Sequence, residues 1–262
     1  GTSLYNFRRY MDTYDYKRTG GNIGLIKPLT DTVRASAKYR LENVDVSGIT
    51  SDASTYIKEQ EGTTLTSSMI FALTQNTIDN IQDPTKGFNT GISVETAGGI
   101  FGGDAYFVSA TGYYGRYFPI KFMESSFFVK GTLGSVGGYS GRQVPITEKF
   151  YVGGISSIRG FRYGEAGPTD ENGEPIGAKN QMFYNFEWIF PIYKPASVKG
   201  VVFFDTGAGF DDWSSLRMRT SGGVGLRWFS PMGPIRLEFG WNLNPQEGER
   251  KSLFDFTIGT QY

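Results

Sequence analysis

The 262-residue chain contains no cysteine and no histidine. Without thiols there is no disulfide scaffold, no thiolate zinc site and no cysteine nucleophile. Without imidazoles, Ser-His-Asp triads and histidine-ligated metals are excluded as well. Net charge is also lacking, because 26 Lys and Arg balance 26 Asp and Glu. No surplus of positive charge is left for a phosphate backbone, so no nucleic acid is expected as a partner. No run of 18 apolar residues occurs, so no transmembrane helix is expected. Gly1-Thr2-Ser3 opens the chain without a basic and apolar leader. None of these absences bears on a transmembrane β-barrel, whose strands leave only a weak alternating signal.

What the chain does have is 36 Gly, 21 Phe and 16 Tyr, with aromatics at 16%. It is nevertheless hydrophilic on average. The rings must therefore interleave with polar residues, as in a sheet with two unlike faces. Segment 33–42 puts Val33, Ala35, Ala37, Tyr39 and Leu41 on one face, and Arg34, Ser36, Lys38, Arg40 and Glu42 on the other. A helix would smear this pattern around its surface, whereas a strand separates it. Segments 217–228, 235–241 and 254–262 repeat the alternation. In 235–241, for example, Ile235, Leu237, Phe239 and Trp241 lie opposite Arg236, Glu238 and Gly240. Segment 181–190 is less clean, because Phe183 and Ile189 interrupt its polar face.

About twelve strands are predicted, at 3–14, 20–28, 31–43, 64–75, 88–98, 103–118, 122–136, 179–191, 198–208, 216–229, 233–243 and 251–262. Most are long enough to cross a bilayer at a tilt. Tight turns alternate with longer loops near 44–63, 137–178 and 243–250, which is the pattern of an outer-membrane barrel. Segment 76–87 is the exception, being long but on the turn side. The competing reading is a soluble β-sandwich. Rings at strand ends (Trp188/Phe190, Trp228/Phe229, Trp241) and mid-strand Arg and Lys favour the barrel. The fold class is therefore all-β, an antiparallel transmembrane β-barrel, in one domain over 1–262.

Loops as long as 137–178 are usually functional or disordered. Its apolar residues and Gly turns point to order. Its core, Ile158-Arg159-Gly160-Phe161, is led by Gly153-Gly154 and followed by Gly167-Pro168. It resembles the signature loop of the superfamily of outer-membrane assembly and secretion barrels, above all the BamA-like assembly factors. Three further segments resemble that family in order along the chain. They are Asp79-Asn80 with Asp83-Pro84-Thr85-Lys86-Gly87, then Phe203-Phe204-Asp205-Thr206-Gly207, then Leu226 to Ile235.

The resemblance implies a sixteen-stranded barrel preceded by periplasmic POTRA domains. On that expectation the chain is a C-terminal fragment holding the last twelve strands, with the first barrel strands and the POTRA domains absent. It further implies that the loop folds into the lumen and that Arg159 meets Glu187 and Asp205 on the inner wall. The face pattern agrees, since both carboxylates lie on the polar faces of neighbouring strands, and a guanidinium fork suits such a pair. The bland alternative is that Arg159 is one of many solvated lumen charges. Gly153, Gly154, Gly160 and Gly164 would supply backbone freedom for a tight fold. Phe161 reads equally as an anchor or as simple packing.

In related barrels a C-terminal aromatic in an alternating strand is read by the assembly machinery. Phe254, Phe256 and Tyr262 resemble that signal and equally suit ordinary lipid-facing rings. A closed twelve-strand barrel is expected, with an open or oligomer-closed sheet as the alternative. The function implied is non-enzymatic insertion of other barrels into the bacterial outer membrane of a Gram-negative cell. The partners implied are the lipid bilayer, unfolded outer-membrane proteins and, through POTRA domains, accessory assembly lipoproteins. No catalytic residue, metal or cofactor is expected. The alternative is a related secretion pore, either a two-partner-secretion transporter or TamA-like. An enzyme barrel and a diffusion porin fit the sequence less well.

Overall fold

A computed structural model describes residues 1–81, 83–230 and 233–259. Among these residues twelve strands form one antiparallel sheet in chain order. They are β1 (Thr2–Tyr10), β2 (Asp15–Pro28), β3 (Val33–Ser47), β4 (Gly62–Asn76), β5 (Gly87–Ala97), β6 (Phe107–Ile120), β7 (Ser125–Gly138), β8 (Asn180–Tyr193), β9 (Val198–Phe210), β10 (Arg219–Ser230), β11 (Gly233–Asn242) and β12 (Ser252–Ile258). Every ladder joins sequential neighbours, which short turns and antiparallel pairing allow. Among the described residues no helix is long and apolar enough to cross a membrane, which says nothing against crossing by strands.

Each strand separates its side chains between two faces. On β9, Val201, Phe203 and Asp205 are buried while Val202 and Phe204 are exposed. On β4 and β5 the exposed residues are Phe71, Leu73, Ile92 and Val94, and on β12 they are Phe254, Phe256 and Ile258. Large apolar side chains facing outward along successive strands form the belt that lipid requires. The two irregular residues of β8 face inward. Phe183 packs with Val152, Ile158, Phe161 and Ala166 of the loop. Ile189 packs with Tyr117, Val201 and Phe203.

Several boundaries differ from the sequence expectation. The first strand ends at Tyr10 rather than at 14, because the Met11 N–H donates to the Tyr14 carbonyl and closes a tight turn. β2 then begins at Asp15, not at 20, and runs straight through Gly20 and Gly21. At those two glycines the side chains of Glu42 and Leu4 fill the space a Cβ would need. β6 begins at Phe107, because Asp104 turns back to accept from the Leu65 N–H.

The long loop runs between β7 and β8 and lies against the inner face of both halves of the sheet. Among the described residues no ladder joins β12 to β1, the pairing expected to close the barrel. Among the described residues β1 pairs only with β2 and β12 only with β11. Closing a barrel ties its diameter to strand number and tilt. Tyr262 lies outside the described residues.

Candidate functional site

The site is laid out by strand register. Asp205 on β9 sits beside Asn185 on β8 and Ser221 on β10. One pleat further, Glu187, Phe203, Gly223 and Gly240 form a row across β8 to β11. Glu238 on β11 lies between Gly225 and Asp255. All three carboxylates point to the inner face and are buried.

Arg159 of the loop enters this patch and is only 2% exposed. Its Nε and Nη2 donate to the two oxygens of Asp205, each at 2.7 Å, so the pair is bidentate. Its backbone N–H donates to the same carboxylate at 3.1 Å. Nη1 donates to Glu187 at 2.7 Å and to Glu238 at 3.2 Å. The guanidinium lies 3.7 Å above the Phe203 ring. Planar donors on two sides and a ring below suit arginine, and lysine could not reproduce them. Burying three carboxylates is costly unless each is paired. Arg227 donates to Glu187 (2.7 Å) and Glu238 (3.1 Å), and Arg236 donates to both oxygens of Glu238. Three guanidiniums thus meet three carboxylates.

Glycines let the loop come this close. Gly160 has φ +83°, a region that favours glycine. It abuts Gly240 of β11, where an added Cβ would sit 2.6 Å from the Gly160 nitrogen. Beside it, Gly223 leaves room for the Phe203 ring on which Arg159 rests. Gly153 has φ +130°, and its own Cβ would meet the Arg162 carbonyl at 2.2 Å. Gly154 and Gly164 also have positive φ. Phe161 and Ile158 are fully buried in the loop's apolar cluster. Arg219 lies over the Phe161 ring at 4.9 Å.

The structure thus brings Arg159 together with Glu187 and Asp205 and seats Gly160 against β11, while Ile158 and Phe161 lie in the loop's apolar cluster and Gly153, Gly154 and Gly164 lie against other loop residues. Phe254 and Phe256 stay apart, exposed on the outer face of β12. Sequence reasoning missed Glu238, Arg227, Arg236 and Gly240 as partners. Their signal was present, because Arg236, Glu238 and Gly240 form the polar face of segment 235–241. Only register shows that this face lies opposite the loop.

Beneath the loop is a cavity of about 610 Å³, lined among others by Lys130, Arg227, Arg236, Gln181 and Tyr113. Asp83 and Pro84 of the β4–β5 turn reach it as well. Among the described residues no group of side chains suits a metal ion.

An inner face of charges, an outer belt of apolar residues and a loop anchored against the inner wall define a transmembrane β-barrel protein. The Omp85 superfamily domain matches residues 1–262, and the chain belongs to that superfamily. It is 32% identical to the outer membrane protein assembly factor BamA of Nitratidesulfovibrio vulgaris, over 99% of this chain and 34% of that protein. It is 28% identical to BamA of Neisseria meningitidis, over 72% of this chain and 28% of that protein. The chain therefore spans about a third of the length of these curated relatives. Its fold resembles the crystal structure of BamA from Haemophilus ducreyi lacking POTRA domains 1–3. That match has a TM-score of 0.79 at 20% identity and covers 94% of this chain and 54% of the other. CdiB from Acinetobacter baumannii is less similar, with a TM-score of 0.59 at 14% identity over 94% and 42% of the two chains. The protein is an integral β-barrel of the bacterial outer membrane.

Proposed function

We propose that this chain is the barrel portion of a BamA-like assembly factor that inserts other β-barrel proteins into the outer membrane. Residues 1–262 act as one barrel domain of a longer protein, and loop 137–178 is its lumen element. The observation that carries this reading is the buried salt-bridge patch at Arg159, set in a chain alignable end to end with a named assembly factor. The action is non-enzymatic and depends on shape, on strand edges and on disturbance of the surrounding bilayer. The partners are unfolded outer-membrane proteins and the bilayer, with accessory lipoproteins engaged through POTRA domains. Within the site, Arg159 with Glu187 and Asp205 fixes the loop, Ile158 and Phe161 seat it, and the glycines allow its approach.

The test is reconstitution of the full-length gene product in liposomes, followed by addition of a urea-unfolded outer-membrane barrel. Folding of that client should run faster than in protein-free liposomes. Equal rates would overturn the assembly reading.

A further inference from the structure

The loop touches the wall in a second place that the Arg159 patch does not explain. Eleven residues earlier, Glu148 lies against the opposite half of the sheet. Its carboxylate accepts from Arg40 of β3 at 3.0 Å and pairs with Arg18 of β2 at 3.2 Å. Arg18 also donates to the neighbouring Thr147 carbonyl at 2.5 Å. The two arginines are braced from behind. Arg18 and Arg40 both donate to Glu42, at 2.7 and 2.9 Å, and Arg40 pairs with Glu95 of β5 at 2.6 Å. Glu42 also accepts from the Tyr5 hydroxyl of β1, and Glu95 from Ser68 of β4. Without the loop, the wall cluster of Arg18, Arg40, Glu42 and Glu95 is neutral, and the loop brings the fifth charge.

The polarity is reversed between the two places. On β8 to β11 the wall supplies carboxylates and the loop supplies an arginine. On β2 to β5 the wall presents arginines and the loop supplies a carboxylate. Next to Glu148, Ile146 is buried in a cluster with Tyr14, Tyr16, Val44, Val46, Ala53 and Ile57. Its N–H donates to Gln60 at 3.2 Å. Apolar packing alone accepts many registers, whereas an ion pair bound to a braced partner accepts few.

We infer that Glu148 is a second anchor, a positioning residue that sets loop 137–178 against β2–β5 by charge as Arg159 sets it against β8–β11. The loop is then a strut of defined orientation across the interior, because the two ends cannot exchange walls without placing like charges together.

Residues 1–262 contain no cysteine, so within this chain introduced cysteines are labelled at known positions, and any elsewhere in the full-length protein are replaced first. Spin labels on cysteines introduced at the exposed positions Gln143 of the loop and Asp31 of the β2–β3 turn report the distance between loop and wall. The full-length protein in lipid gives one narrow distance peak. Glu148→Lys, which faces Arg18 and Arg40 with a like charge, loses that peak. Glu148→Asp, which keeps the carboxylate, retains it. Glu148→Gln keeps the size of the side chain and serves if the lysine variant fails to fold, and it too should broaden the peak. Heat-modifiable gel mobility verifies that each barrel is folded. An unchanged peak in Glu148→Gln or Glu148→Lys overturns the inference. So does a Glu148→Asp peak as broad as that of Glu148→Gln, because an anchor acting by charge needs the carboxylate and not the size of the side chain.

Discussion

Arg159 reaches Asp205, Glu187 and Glu238 at once. Arg159→Ala leaves Glu187 and Glu238 to Arg227 and Arg236, and leaves the buried Asp205 carboxylate with the Asn185 amide in place of a cation. Removing one partner of a buried ion pair costs roughly 3–5 kcal/mol. A urea titration of the lipid-inserted protein should show a loss of that order, or a loop that becomes protease-sensitive while the barrel stays folded. A variant as stable and as protected as the parent would refute the role given to Arg159. Arg159→Lys should fall between, since it keeps the charge but loses the two-pronged hold on Asp205. The arginine and two of its acids were legible from face alternation and family likeness. Glu238 was not singled out, because a single strand's pattern shows which side a residue faces and not what lies across from it.

At the level of elements, the loop and the β4–β5 turn behave differently from ordinary connections. The loop approaches β11 backbone to backbone at Gly160 and Gly240. Gly240→Ala would push a methyl into the Gly160 nitrogen, and overpacking of this kind costs roughly 1–3 kcal/mol. Paired stability measurements on Gly240→Ala and Arg159→Ala should be non-additive, because both act on the same contact. Strict additivity would separate them. The turn at 77–86 was the long connection on the short-turn side. It is ordered through Asp79, which accepts from the Thr85 hydroxyl (2.6 Å) and from the Thr85 and Lys86 N–H groups. Burial pushes the Asp79 carboxyl up, but these bonds outweigh it and hold the carboxyl at about 2 against an ordinary 3.8. An acid lowered in the folded state contributes stability that is full above its ordinary value and is lost as pH falls through the folded one. The turn should therefore be unaffected from neutrality down to about pH 4 and loosen between there and pH 2. Amide exchange at Thr85 and Lys86 would report it, and protection unchanged at pH 2 would contradict it. A further tie joins Asp83 to Lys199 of β9, and Ile78 packs with Tyr117 and Ile189. The length of this turn was readable, but its inward course was not, since that depends on partners more than a hundred residues away.

For the whole molecule the decisive property is which exposed apolar residues meet lipid. Ile92, near the middle of β5, is 56% exposed, and Ile100, in the β5–β6 loop, is 95% exposed. Exposure alone ranks Ile100 as the more conspicuous. Position reverses the order, because an arginine on the lipid face near mid-strand costs roughly 2–4 kcal/mol and almost nothing beyond the interface. Ile92→Arg should weaken folding into bilayers by that amount while Ile100→Arg leaves it nearly unchanged. Equal effects would show that the β5 face is not in lipid.

The chain's own order of residues determined the alternation, the number of strands and their pairing with sequential neighbours. These depend on a period of two and on short turns, which are local properties. It also marked 137–178 as a loop too apolar to be idle. Only the tertiary structure decided that Phe183 and Ile189 are inward seats for this loop and for the β4–β5 turn. The same is true of the completion of the Arg159 patch by Glu238, Arg227 and Arg236, and of Glu148's place against the opposite wall. Each of these depends on which strands face one another across the interior, and that distance in space has no counterpart in the spacing of residues along the chain.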